Sequence, residues 1–309
     1  MSATGTAPAQ HTFRYQSVGV ACAASGVLLF SIRPILIKLS YAYVVDPVTL
    51  LALRMVFAVP FFVVVAWWVG RRPGLAPVSR RDWLAIGLLG FLGYYLASFL
   101  DFLGLQFVSA GLGRLILFLY PTMVVLLSWI FLHQKAGPRE LLALVVTYAG
   151  LVTVLTGDAE PRRAALLLGA ALLLGSAMSY AIYLVLGAQV IRRVGSLRFT
   201  AYATIVASAL CVAQFLIVRP WHALDLPAPV YGYAITMALA STVVPIFLTG
   251  EALRRIGATR VAIMGALGPV STLLFGYLGL DERLSVTQVV GALLVLIGVL
   301  AVVAGGRKA

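Results

Sequence analysis

The chain has 309 residues, of which 62% are hydrophobic and only 11% charged, and it carries a formal net charge of +13. Globular proteins run at roughly 45–50% apolar and about 25% charged residues, so a soluble or disordered chain is excluded. A basic balance of this size would point to nucleic acid in a soluble protein; here the distribution of the charges about a membrane accounts for it, and no nucleic-acid partner is expected.

Ten apolar stretches follow one another, each near the roughly 20 residues that a helix needs to cross a hydrocarbon core of about 30 Å. The first, 17–39, follows a polar tail over 1–16 and contains Arg33 and Pro34. It is a full span rather than a signal-peptide core. Its Gly19-Val20-Ala21-Cys22 run resembles a lipoprotein cleavage box but lacks the leading aliphatic residue, and it is not read as a lipidation site. The second, 47–69, contains Arg54 and Pro60, and the third, 83–104, places Tyr94, Ser98 and Asp101 at i, i+4 and i+7 on one helical face. The fourth, 109–132, holds Arg114 and Pro121; the fifth covers 138–156. The sixth, 164–187, repeats the stripe with Ser176, Tyr180 and Tyr183. After the seventh, 199–218, the eighth, 230–250, stripes Ser241, Pro245 and Thr249, the ninth, 258–280, contains Pro269, and the tenth, 286–304, precedes a tail over 305–309. The connectors are too short for a soluble catalytic, regulatory or nucleotide-binding domain, so function must reside in the helices.

With the N-terminus inside, fifteen Lys and Arg residues fall in cytoplasmic segments (Arg14, Arg71, Arg72, Arg80, Arg81, Lys135, Arg139, Arg192, Arg193, Arg198, Arg254, Arg255, Arg260, Arg307 and Lys308). Five (Lys38, Arg162, Arg163, Arg219 and Arg283) fall on the opposite face. This asymmetry orients both termini to the cytoplasm of a bacterial inner membrane. Trp67, Trp68, Trp83, Trp129 and Trp221 lie at span ends, as an aromatic belt does. The two cysteines, Cys22 and Cys211, fall within spans and read as small packing residues, not as a disulfide or metal site.

The second half echoes the first at an offset of 148 residues: Leu119-Tyr120-Pro121 aligns with Leu267-Gly268-Pro269, Leu132-His133-Gln134-Lys135 with Leu280-Asp281-Glu282-Arg283, and Gly150 with Gly298. Five spans per half is odd, so the second half threads the membrane in the opposite direction. The expected fold is an all-α integral membrane protein of ten transmembrane helices in two inverted five-helix repeats, 17–156 and 164–304, an arrangement in which secondary transporters bind substrate near the midplane between rocking halves.

Three stretches carry a family resemblance. Asp46-Pro47-Val48-Thr49-Leu50-Leu51-Ala52-Leu53-Arg54 resembles the entry to the second span of EamA-type members of the drug/metabolite transporter superfamily, and Ser109 to Pro121 resembles their fourth span. Leu280-Asp281-Glu282-Arg283-Leu284, followed by Gly291 and Gly298, resembles their ninth-to-tenth turn, with Asp281 where a glycine is usual. The resemblance implies ten helices, cytoplasmic termini and export of small metabolites, with amino-acid exporters similar in overall pattern. It marks fold and turns rather than a substrate.

Four ionisable residues lie within spans, where charge is costly and normally faces a cavity or a partner. Counted at 1.5 Å per residue, Arg33, Arg54, Asp101 and Arg114 all sit about 10 Å below the outer surface. Asp101 and Arg114 also straddle the hairpin centre near 107 and 108. One reading is a structural Asp101–Arg114 pair with Arg33 and Arg54 snorkelling outward; another is a positive excess suited to a substrate carboxylate; a third is proton coupling through Asp101. The cavity candidates are therefore Arg33, Arg54, Tyr94, Ser98, Asp101, Arg114, Ser176, Tyr180, Tyr183, Ser241 and Thr249, although the serines and threonines equally suit helix-helix hydrogen bonding. Pro121, Pro245 and Pro269 are candidate hinges, or static kinks.

The function these features support is a secondary transporter exporting small metabolites, amino acids foremost, by alternating access, with a multidrug or lipid transporter on the same fold, or a passive channel, as alternatives. An enzyme is not expected, since His11, His133 and His222 all lie in tails or loops. No glycine loop of the ATP-binding kind is present. No cofactor or metal is expected; the partners are a small-molecule substrate and membrane lipid, and a monomer is compatible with the sequence.

Overall fold

The computed structural model describes residues 7–71, 77–132, 137–156, 163–282 and 285–305, and these are helices joined by short turns. Among the described residues nine helices are long and apolar enough to cross a membrane, and Leu267–Leu280 adds a shorter one. The protein is thus an all-helical, multi-pass membrane protein, as hydrocarbon demands of any chain that cannot close into a barrel.

In chain order the spans are Ala7–Tyr41, Pro47–Gly70, Arg80–Gly104, a fourth in two pieces (Ala110–Leu117 and Tyr120–Leu132), Pro138–Thr156, Arg163–Val194, Ser196–Val218, an eighth starting at Ala228, Leu267–Leu280 and Val286–Gly305. Local chemistry sets several starts. Asp46 accepts the N–H groups of Val48 and Thr49 ahead of Pro47, Ser79 accepts that of Asp82, and Ser109 that of Leu112; each satisfies donors that the first helical turn leaves orphaned.

Three boundaries differ from the hydropathy reading. The first helix begins at Ala7, inside the expected tail, because a polar turn can extend a helix past the apolar core into water. The sixth runs beyond 187 to Val194, with Arg192 and Arg193 in its last turn, and stops at Gly195, whose φ of 88° only glycine adopts readily. Helical backbone also covers 251–257, expected as a loop, and continues to Gly265. There Glu251 pairs with Arg254 and Arg255 at i+3 and i+4, contacts that favour helix. The chain still reverses: Gly26 faces Thr249 and Gly19 faces Ile256, whereas Val27 faces Gly268 and Ile35 faces Gly279. His133, Gln134, Lys135, Arg283 and Leu284 of the turn motifs, the 157–162 connector and residues 306–309 lie outside the described residues.

Packing is preserved when each helix is exchanged with the one five places later. The first lies on the eighth and ninth, and the sixth on the third and fourth; the second pairs with the seventh, and the fifth with the tenth. Equivalent helices run antiparallel. Met55 meets Ser208 while Val48 and Ala52 meet Phe215, and Gly150 meets Gly291 while Gly298 meets Ala143 and Thr147. The two halves are therefore inverted. The fifth and tenth helices touch backbone to backbone, since a Cβ on either Gly150 or Gly291 would stand 2.7 Å from the other's carbonyl oxygen.

Irregularities also recur at the repeat offset. π-helical turns occupy Phe91–Leu96 in the third helix and Leu239–Val243 in the eighth. Non-helical residues Phe118 and Leu119 interrupt the fourth helix, and Ala266 precedes the ninth. A proline lacks an N–H and its ring strikes the carbonyl four residues back. The preceding helices end at Leu117 and Gly265, four residues before Pro121 and Pro269, and the eighth-helix π turn contains Ser241, four before Pro245. Trp67, Trp68, Trp83, Trp129 and Trp221 are all exposed on the surface of the bundle.

Candidate functional site

The four intramembrane charges converge. Arg33 Nη2 donates to Asp101 Oδ2 at 3.4 Å, and Asp101 is only 2% exposed. Arg54 and Arg114 also lie within electrostatic reach of that carboxylate, and each feels Arg33. Asp101 thus pairs with Arg33 from the first helix and not with its hairpin neighbour Arg114. Symmetry about the hairpin fixes depth but not rotation. Arg114 turns instead toward the ninth helix at Gly268, where an added Cβ would lie 3.2 Å from its Nη2.

Arg54 does not snorkel. It is 1% exposed, its Nη1 donates to Thr242 Oγ1 at 3.4 Å, and its guanidinium carbon lies 5.1 Å from the centroid of the Phe102 ring. Its Nε and Nη2, together with Arg33 Nε, Arg114 Nε and Asp101 Oδ1, are buried without a hydrogen-bond partner. An unpaired buried polar group costs about 1–3 kcal/mol, and more when charged. A cluster of them is suited to the polar atoms of a small molecule, and four of these five atoms belong to cations.

Beside the charges stands an aromatic wall. The hydroxyls of Tyr94 and Tyr183 are 3.1 Å apart, with ring centroids 5.2 Å apart at 71°. Tyr180 stacks on Tyr183 at 5.5 Å and meets Tyr120 edge-on at 5.2 Å. Arg114 acts electrostatically on both Tyr120 and Tyr180, so wall and cations adjoin. Gly93, within the third-helix π turn, lies directly against the Tyr183 ring, closer than any Cβ could.

The π turns explain where the predicted stripes fail. Each inserts an extra residue and rotates the following face. Tyr94, inside its turn, reaches the sixth helix, while Asp101 beyond it reaches the first; Ser98 between them is half-buried. In the eighth helix Ser241 donates back to Met237 O at 2.9 Å, and Thr242 rather than Ser241 meets Arg54. Ser176 donates to Ala97 O at 2.6 Å, a helix-helix bond, and Thr249 packs against Gly26 of the first helix. These three are packing contacts outside the charged cluster. Thr242 and Tyr120 were not singled out by the sequence. The repeat held the signal for one of them, since Thr242 is the equivalent of Tyr94.

One end of the bundle is bridged across the repeats. Glu282, after the ninth helix, accepts the Ala110 and Gly111 N–H groups at 2.8 and 3.3 Å, capping the fourth helix with an anion. At the same end Tyr41 donates to Phe102 O at 2.6 Å and Arg219 pairs with Asp46 at 3.0 Å. Toward the other end, a cavity of about 250 Å³ lies among the fourth, sixth and tenth helices, lined by Phe118, Tyr120, Pro121, Val124, Leu184, Val302 and Val303. Tyr120 joins this cavity to Arg114.

Comparison with known proteins matches the model of the EamA-like transporter family twice, over residues 17–156 and 167–304. The chain is 31% identical over 291 residues to the uncharacterized transporter YcbK of Bacillus subtilis, covering 91% of each chain. It is 27% identical to the uncharacterized transporter YyaM of the same organism, over 72% of this chain and 73% of that one. A crystal structure at 18% identity superposes with a TM-score of 0.64 over 95% of this chain and all of its own, a likeness of fold.

Proposed function

The chain belongs to the EamA-like transporter family, and from that premise we propose that it is a secondary transporter that exports small carboxylate-bearing metabolites, amino acids foremost. It works across a bacterial inner membrane with both termini in the cytoplasm, by alternating access through the space between its two repeats. The observation that carries this reading is the intramembrane cluster of the half-buried Arg33 and Arg114 and the buried Arg54 around the single acid Asp101, with buried, unpartnered guanidinium nitrogens. A carboxylate meets guanidinium in a charge-assisted, often bidentate geometry, which is stronger than neutral pairing. The tyrosines Tyr94, Tyr120, Tyr180 and Tyr183 supply a wall for the rest of the substrate.

Alternating access needs an end that is shut and an end that opens. The Glu282 cap joins the ninth helix to the fourth, hence one repeat to the other, and must release for the outer end to open. The cavity at Tyr120 lies on the opposite, inward side of the charges. The helix breaks before Pro121 and Pro269 and the π turn at Pro245 are the places where a helix can bend with few hydrogen bonds to break.

Purified protein reconstituted in liposomes, screened for counterflow of amino acids, sugars and cationic dyes, tests the reading. Saturable counterflow confined to carboxylate-bearing compounds is expected. Counterflow of cationic dyes alone would transfer the protein to the multidrug class, and non-saturable flux would make it a channel.

A further inference from the structure

The charges in the cluster do not balance, and their positions say what would balance them. Arg33, Arg54 and Arg114 bring three positive charges and Asp101 one negative, and Asp101 is already engaged by Arg33. Arg54 and Arg114 are each left without an anionic hydrogen-bond partner among the described residues, in separate surroundings. Arg54 lies with Thr242, Phe102 and Cys211, Arg114 with Gly268, Tyr120 and Tyr180. Among the described residues no second acid acts on either; Glu251 is committed to Arg254 and Arg255, and Glu282 to the fourth-helix N–H groups.

Taking a charge out of water is costly, and an opposite charge beside it offsets much of that cost. A ligand that neutralises the site must therefore bring two negative charges, one to each flanking guanidinium. Asp101 keeps one oxygen, Oδ1, without a hydrogen-bond partner, and this oxygen can receive the ammonium group where an acidic amino acid binds. We infer that the preferred substrates are small dicarboxylates, acidic amino acids included, with one carboxylate received by Arg54 and the other by Arg114 on either side of the Arg33–Asp101 pair. This rests on the transporter reading above and narrows its substrate class. It also assigns Asp101 a selectivity role, as the built-in anion that occupies Arg33 and so fixes the number of seats at two.

Counterflow in proteoliposomes tests this with succinate against its monoamide succinamate, and glutamate against glutamine. Each pair differs by one charge at almost constant size. The expected result is a KM lower by roughly ten- to a hundred-fold for the diacid of each pair, the value of one charge-assisted contact. Arg54→Gln and Arg114→Gln should each shrink that gap, while Arg54→Lys and Arg114→Lys, which keep the charge, should retain part of it. Saturable transport of neutral amino acids with no preference within either pair overturns the two-seat site and leaves the transporter reading standing. Failure of every carboxylate to exchange overturns both.

Discussion

Asp101→Asn removes one charge and almost no volume, so it isolates the electrostatic role of the only acid in the buried cluster. In the wild type the carboxylate lies 3.4 Å from Arg33 and within reach of Arg54 and Arg114. The amide leaves three guanidiniums facing one another with no anion. Breaking a buried pair by removing one partner costs about 3–5 kcal/mol, and repulsion among three cations places this case at the upper end. Arg33→Met should cost less, because Arg54 and Arg114 still neutralise the carboxylate. The double mutant Arg33→Met/Asp101→Asn should fall short of the sum of its singles by about 1–3 kcal/mol, the coupling expected of groups in contact. At about 2 °C per kcal/mol for a chain of this size, Asp101→Asn lowers the melting temperature in detergent by roughly 8–10 °C. Heating such a protein is commonly irreversible, so all variants are compared at one scan rate. Wild-type melting of Asp101→Asn, or strict additivity with Arg33→Met beside strong coupling with Arg114→Met, would refute the assigned pairing.

Other outcomes follow from single contacts. Gly93→Ala sets a methyl on the Tyr183 ring, and overpacking of this kind costs about 1–3 kcal/mol; unchanged thermal stability would show that the third and sixth helices do not meet there. Glu282→Ala removes the cap on Ala110 and Gly111 at a cost of about 0.5–2 kcal/mol, and it should raise the thiol-labelling rate of a cysteine placed at Ala110; an unaltered rate would remove Glu282 from the closure. With Cys22 and Cys211 replaced, cysteines at Ser79 and Ser196 should label only from the cytoplasmic side and one at Ala159 only from outside. Labelling of Ser79 and Ala159 from one side would contradict the orientation drawn from the charge asymmetry.

What the sequence disclosed was what depends on counting along the chain. Span number, inverted halves and the common depth of Arg33, Arg54, Asp101 and Arg114 follow from hydropathy, the 148-residue offset and 1.5 Å per residue. Rotation about helix axes did not follow. The π turns at Phe91–Leu96 and Leu239–Val243 shift the register of everything beyond them, so stripes drawn at 3.6 residues per turn put Ser241 where Thr242 stands. Choice of partner was equally hidden: hairpin symmetry points to Arg114 as the mate of Asp101, and only the placement of the first helix brings Arg33 to the carboxylate instead. The Glu282 cap was hidden as well, because it joins residues more than 170 apart in sequence. The breaks at Leu117 and Gly265 were legible in principle, four residues before matched prolines.

The central claim is that intramembrane arginines recognise a substrate carboxylate, and the most direct measurement compares counterflow of an amino acid with that of its α-amide in wild type, Arg33→Gln, Arg54→Gln and Arg114→Gln. The account predicts that Arg54→Gln and Arg114→Gln lose about ten- to a hundred-fold in affinity for the amino acid and much less for the amide, which has already lost the charge that the guanidinium serves, while Arg33→Gln, whose guanidinium is engaged by Asp101, changes that preference least. Unchanged preference in all three variants would make the arginines structural and contradict the account.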